Sequence, residues 1–89
     1  MLRISNLGRK ETGTTLRLDG QLSGVWIEEL RRSCEAVLAE GQMLVVDCGG
    51  VSYSSPEGIA LMRGLLSRNV SLKNCSPFLQ LQLKEEPAF

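Results

Sequence analysis

The sequence predicts an α/β domain with the element order β-β-α-β-α-β-α, and three stretches carry that prediction. The first is Met43 to Leu66. A short apolar run from Met43 to Val46 ends in Asp47-Cys48 and Gly49-Gly50, and a second apolar patch follows at Val51 and Tyr53. Ser54-Ser55-Pro56-Glu57-Gly58 then opens an apolar run with helical spacing. This reads as a buried strand, a loop and a helix. The second stretch, Thr14 to Asp19, alternates: Thr14, Leu16 and Leu18 point one way, Thr15, Arg17 and Asp19 the other. That is a strand with one face on a core. In the third, Trp26, Ile27, Leu30, Cys34, Val37 and Leu38 recur at three- and four-residue steps, the stripe of an amphipathic helix. A strand, a helix of about four turns and another strand form a crossover, so the second and third strands should be parallel. Consistent right-handed crossovers place both long helices on one face of a mixed, mostly parallel sheet.

Taken in order, Leu2 and Ile4 alternate and predict a short first strand over 1–6. Leu7 to Gly13 is polar and contains Gly8 and Gly13, so it reads as the turn of an antiparallel hairpin. Gly20 to Gly24 interrupts the pattern after Asp19, and Ser23 is a candidate cap for the helix over Trp26 to Glu40. Glu28 with Arg32, and Arg31 with Glu35, stand four apart and suit ion pairs on the solvent side. Glu28 and Glu29 sit where negative charge suits the helix dipole, and Gly41 is a helix stop. Met43 to Cys48 is the third strand, and Gly49-Gly50 mark a tight turn. Pro56 to Ser67 is the second helix, with Ile59, Met62, Leu65 and Leu66 inward and Arg63 and Arg68 outward. Val70 to Lys73 is a fourth strand, parallel to the third. Ser76-Pro77 repeats the cap-plus-proline start, which favours a helix over Phe78 to Lys84, although Leu79, Leu81 and Leu83 alternate as a strand would. Glu85 to Phe89, with Pro87, is a tail. No internal repeat or low-complexity segment is present.

The chain has 89 residues, which suits a single domain over 1–89, and 43% of them are hydrophobic, as in ordinary globular proteins. So small a core leaves room for a partner or self-association surface, a homodimer included. Ten basic residues balance ten acidic ones, and aromatics are scarce. Nothing here resembles the electrostatic footprint of a nucleic-acid binder. No apolar run is long enough to span a bilayer and no signal peptide is recognisable, so a cytoplasmic protein or cytoplasmic subunit is expected. The three cysteines, Cys34, Cys48 and Cys75, are too few and too widely spaced for a disulfide framework or a zinc site. Cys34 and Cys48 read as buried thiols, and Cys75, in a turn, as the most reachable. Histidine is absent, which removes the commonest general base and metal ligand.

Candidate functional residues gather at the start of the second helix: Ser54, Ser55, Pro56, Glu57 and Gly58. The Ser55 oxygen suits the free N–H groups of a first turn, and Pro56 loses nothing there by lacking an N–H. Glu57 places a permanent negative charge at the positive end of the helix dipole. Glutamate is also simply favourable in a first turn, and that plain reading stands beside the functional one. Ser54 is an alternative phosphoacceptor, with a turn residue as the plainer reading. Asp47 reads as a turn-stabilising residue and Trp26 as core packing, with a partner anchor as the second reading for Trp26. Gly49-Gly50 lack the spacing of a phosphate-cradling loop. A serine hydrolase would need a base for Ser54 or Ser55, and none is suggestively spaced.

Two runs resemble a known family. Leu16 to Gly24, LRLDGQLSG, resembles the second strand and turn of STAS domains, the group that includes anti-sigma factor antagonists and the cytoplasmic domains of sulfate transporters. Met43 to Gly58 resembles their central signature: an apolar strand, an aspartate, a small loop, a valine, an aromatic, then aspartate-serine-serine-glycine at a helix start. Asp47, Val51, Tyr53 and Gly58 match it, and the resemblance extends from Leu16 to Leu83. It departs at the switch. Ser55 stands where phosphoswitch members carry aspartate, Pro56 where they carry the first serine, and Glu57 where they carry the phosphorylated residue. The last strand and helix of longer members are also not expected here.

The resemblance implies a STAS-like, non-enzymatic protein–protein interaction module, similar to an anti-sigma factor antagonist, without catalytic, metal or cofactor-binding residues. Glu57 in place of the phosphorylatable serine implies a regulator that does not switch. The implied partner is a kinase-type anti-sigma factor. The alternatives are a small cytoplasmic STAS subunit of a membrane transporter and, behind it, a small-ligand or nucleotide-binding domain.

Overall fold

The structure, a computed structural model, describes residues 1–10 and 13–84. The expected tail over Glu85 to Phe89 lies outside the described residues. The elements are β1 (Leu2–Lys10), β2 (Gly13–Leu22), α1 (Val25–Ala39), β3 (Met43–Ser54), α2 (Pro56–Ser67), β4 (Ser71–Lys73) and α3 (Pro77–Lys84). One sheet runs in the order β1-β2-β3-β4, antiparallel between β1 and β2 and parallel elsewhere. The expected order and the two parallel crossovers are therefore present.

The alternation at Thr14 to Asp19 settles the layers. Thr14, Leu16, Leu18 and Leu22 are buried, whereas Thr15, Arg17 and Asp19 on the other face reach solvent. Leu44, Val46, Cys48 and Val51 of β3 continue the inner face. Leu30 and Cys34 of α1, and Ile59, Met62 and Leu65 of α2, close the core over it. Full burial of a leucine contributes about 1.5–3 kcal/mol. Trp26 packs half-buried at the edge of this core, in line with its packing reading.

All three of the longer strands outrun their predicted bounds. β1 continues to Lys10 through the expected turn, with an irregularity between Asn6 and Gly8. There the Asn6 side chain accepts from the Gly8 N–H at 2.9 Å, and Gly8 has φ 136°. β2 runs through Gly20 to Leu22 instead of breaking after Asp19. Gly49-Gly50 make no turn: they lie inside β3. Arg17 pairs with Asp47, but Asp19 pairs with Gly50, so β3 carries an extra residue and bulges. A side chain at Gly50 would run into the Asp19 carboxylate and the Leu18 carbonyl, so this glycine serves close strand approach.

The helices bring their own corrections. α1 begins at Val25, and the cap position is Gly24, with φ 60° and no side-chain hydrogen bond; Ser23 is not the cap and contributes only its carbonyl, which accepts from Trp26 N–H at 3.2 Å. The expected four-residue ion pairs are replaced by Arg31–Glu28 at 3.2 Å and by Glu35–Arg68 at 2.6 Å, which crosses from α1 to the end of α2. Packing α2 beside α1 offers Glu35 this second cation. In α2, Leu66 is 43% exposed, and Gly58 joins Ile59, Met62 and Leu65 on the inner face. Leu66 stands on the same stripe, seven residues after Ile59, but in the last turn of α2, where it lines an open groove with Leu72 and Leu83 instead of meeting the core. Arg63 is half-buried instead of outward; its guanidinium donates to the carbonyls of Gln82 and Leu83 at the end of α3. α3 is a helix, as its start predicted: the Ser76 hydroxyl accepts from Leu79 N–H at 3.2 Å, and Leu79 is buried.

Candidate functional site

Parallel strands deliver their carboxyl ends to one edge of the sheet, and both long helices begin there. β2 ends at Leu22 and β3 at Ser54, while α1 and α2 begin at Val25 and Pro56. Three local contacts fix the start of α2. Ser55, extended at φ −71° and ψ 165°, accepts from Gly58 N–H at 3.3 Å through its side chain. Its own N–H donates to the Leu22 carbonyl at 3.0 Å, tying the helix start to β2. Gly58 is buried against Leu22 and Ser54, and a Cβ there would lie 2.9 Å from the Leu22 Cγ. Pro56 occupies the first helical position, where its fixed backbone suits the turn.

The predicted site residues divide in two. Ser55 is engaged as the cap, and Ser54 is buried, its hydroxyl donating to the Ser55 carbonyl at 3.1 Å. Glu57 and Pro56 face solvent. Glu57 also lines a groove of about 460 Å³ between α1 and α2, with Ala60, Leu61 and Gly64 along one wall and Arg31 and Arg68 beside it. Both arginines are already paired, with Glu28 and Glu35. The Arg68 hydrogen bond holds the Glu35 carboxyl below the usual carboxylate range.

Two exposed apolar side chains share this end of the sheet: Val25, 75% exposed at the start of α1, and Tyr53, 47% exposed near the end of β3. Sequence reasoning overlooked Val25. Its place directly after Gly24 signals a helix start, but its exposure depends on how α1 is set over the sheet.

Asp47 is structural. Its carboxylate accepts from Gly49 N–H at 2.9 Å and from the Asn74 amide at 3.1 Å, with Arg17 at 3.8 Å. The Gly49 N–H, then the Asn74 amide, hold it below the usual carboxylate range. It therefore pins the β3 bulge to the segment after β4, where the sequence suggested a turn. Cys34 and Cys48 are buried and Cys75 half-buried. Burial pushes the Cys34 thiol up to about 12. Among the described residues, no group of three or more acidic, cysteine or histidine side chains is placed to hold a metal ion, and no helix is long and apolar enough to cross a membrane.

No family model matches the chain, and no curated protein matches it. Solved structures do. The anti-sigma factor antagonist SpoIIAA in its unphosphorylated form superposes with a TM-score of 0.72 at 19% identity, over 96% of this chain and 84% of that one. A DUF3478-family protein from Shewanella loihica PV-4, with a SpoIIAA-like fold, gives a TM-score of 0.57 at 15% identity, over 90% and 71% of the two chains. At these identities the likeness is one of architecture, and it accords with the element order and the helix-covered sheet described above: the chain has the SpoIIAA-like, STAS-type α/β fold.

Proposed function

We propose that this chain is a non-enzymatic protein–protein interaction module of the anti-sigma factor antagonist kind, working in the cytoplasm, and that its contact surface is the start of α2. The observation that carries this reading is the exposed Glu57 in the first turn of α2, at the same sheet end as exposed Val25 and Tyr53. An exposed charge at the same sheet end as exposed apolar side chains suits a protein partner.

Glu57 also bears on regulation. A phosphorylated residue at a helix start carries close to two negative charges and three acceptor oxygens. Glu57 supplies one permanent charge and two acceptors at the positive end of the dipole. It therefore imitates a phosphorylated state in part and offers no hydroxyl to modify. The neighbouring hydroxyls are poor substitutes, because Ser55 caps the helix and Ser54 is buried. The surface is thus held in one charge state.

Affinity purification from the native host, followed by mass spectrometry, tests the reading. The tagged protein should recover an ATP-binding regulatory kinase, and Glu57→Lys together with Tyr53→Ala should lose it. Glu57→Ser, offered to that kinase with nucleotide, should become phosphorylated. Recovery of transporter permease or ATPase subunits would move the protein to the transporter reading instead. If Glu57→Ser neither accepts phosphate nor changes binding, position 57 has lost the role proposed for it.

A further inference from the structure

A second feature lies away from the α2 start and is independent of it. Asp47 and Lys73 pair in register between β3 and β4, and the next residue, Asn74, turns with φ 59° while its amide bonds Asp47 at 3.1 Å. That turn leads the chain from β4 towards α3. Cys75 packs there against the core that contains Cys48. Cys48 is fully buried on the inner face of β3. Burial first, and then the adjacent Cys75 thiol, push the Cys48 thiol up, an influence that Cys34 exerts last and least. Cys75 in turn lines an open groove of about 330 Å³ together with Leu66, Leu72 and Leu83, so one thiol of the pair is reachable and its neighbour is not.

We propose that Cys48 and Cys75 are an oxidisable thiol pair, closed to an intramolecular disulfide by a peroxide that enters through the groove beside Cys75. In the first step the Cys75 sulfur attacks one peroxide oxygen, the O–O bond breaks, and hydrogen peroxide becomes water while Cys75 becomes a sulfenic acid. In the second step the Cys48 sulfur attacks the sulfenic sulfur, the S–O bond breaks, and a second water leaves with the Cys48 proton. Two thiols lose one electron each, and the peroxide gains both. The buried, protonated Cys48 makes the second step the slow one. The product ties β3 to the segment between β4 and α3, where the Asp47–Asn74 hydrogen bond already holds them together.

Oxidation of the full chain with hydrogen peroxide, followed by iodoacetamide in denaturing urea, which exposes the buried Cys34, and intact-mass measurement, tests the pair. The wild type should show no disulfide between chains, lose the mass of two hydrogens, leave one thiol alkylated and regain all three after dithiothreitol. Its thermal midpoint should rise on oxidation and return on reduction. Tryptic digestion should then link residues 33–63, which hold Cys34 and Cys48, to residues 74–84, which hold Cys75. Cys34→Ala should retain the link, which assigns it to Cys48. Cys75→Ser, at a half-buried position, should abolish the link while circular dichroism stays unchanged. Persistence of the wild-type mass, Cys75 carrying added oxygen with all other thiols free, or Cys75-linked dimers would each overturn the proposal.

Discussion

The two long helices begin at the same edge of the sheet, yet their starts are built differently. The start of α2 is locked by a serine cap, a proline, a backbone hydrogen bond to Leu22 and a glycine wedged on that leucine. The start of α1 is a glycine at φ 60° with open space around it and no side-chain cap. Here the chain depends on what Gly24 allows its backbone to do, and α1 is held by its buried stripe at Leu30 and Cys34 instead. The contrast explains why a charge at Glu57 has a defined position. A side chain in the first turn inherits the rigidity of whatever anchors that turn.

Substitutions at the two starts should separate these designs. The largest effect is expected at Gly58→Val, where the added atoms meet the fully buried Leu22. Overpacking of this kind costs about 1–3 kcal/mol, read as a lower urea midpoint; an unchanged midpoint would mean that α2 is not wedged on β2. Gly24→Ala should cost about 1–2 kcal/mol for a different reason, backbone strain at positive φ with no steric contact. A larger residue at Gly24 should cost little more than alanine, whereas at Gly58 each added carbon should count.

The hold of α1 on the core can be read through pH. The Cys34 thiol is raised from 9.0 to about 12, so the folded form keeps a proton that the unfolded form releases. Its contribution is complete below the unfolded value and is lost as pH rises from about 9 towards about 12. Urea midpoints should fall across that window, and Cys34→Ala should fall less steeply.

Caps come next. Ser55→Ala should lower stability by about 1 kcal/mol, whereas Ser23→Ala should change it by less than about 0.5 kcal/mol, both measured by thermal unfolding. Equal losses would dissolve the distinction between the two starts. The smallest effect on folding is expected for Glu57→Gln, within about 0.5 kcal/mol, because Glu57 is exposed. A loss much beyond that would give the side chain a structural part.

Element type and order were readable because they follow local rules. Period-two alternation at Thr14 to Asp19, helical spacing over Trp26 to Glu40, and Ser-Pro starts at Ser55 and Ser76 each act within a few residues. Even α3, whose leucines alternate as a strand would, followed its cap. The misreadings share another cause. Gly49-Gly50 and Gly20 look like breaks locally, but Asp19 of β2 presses against Gly50, and the Met1 carbonyl, just before β1, presses against Gly20. Glu35 left its helical neighbour for Arg68 only because α2 lies alongside α1.

By itself, then, the sequence determined the α/β order, the parallel crossovers and a capped helix carrying a carboxylate in its first turn, since hydrophobic period and cap chemistry are short-range. The tertiary structure alone decided how far β1, β2 and β3 extend, that Leu66 stays exposed, that Val25 and Tyr53 share an end with Glu57, and that Cys75 packs against the core that holds Cys48. Those outcomes depend on which distant segments come into contact, and no local pattern encodes that distance.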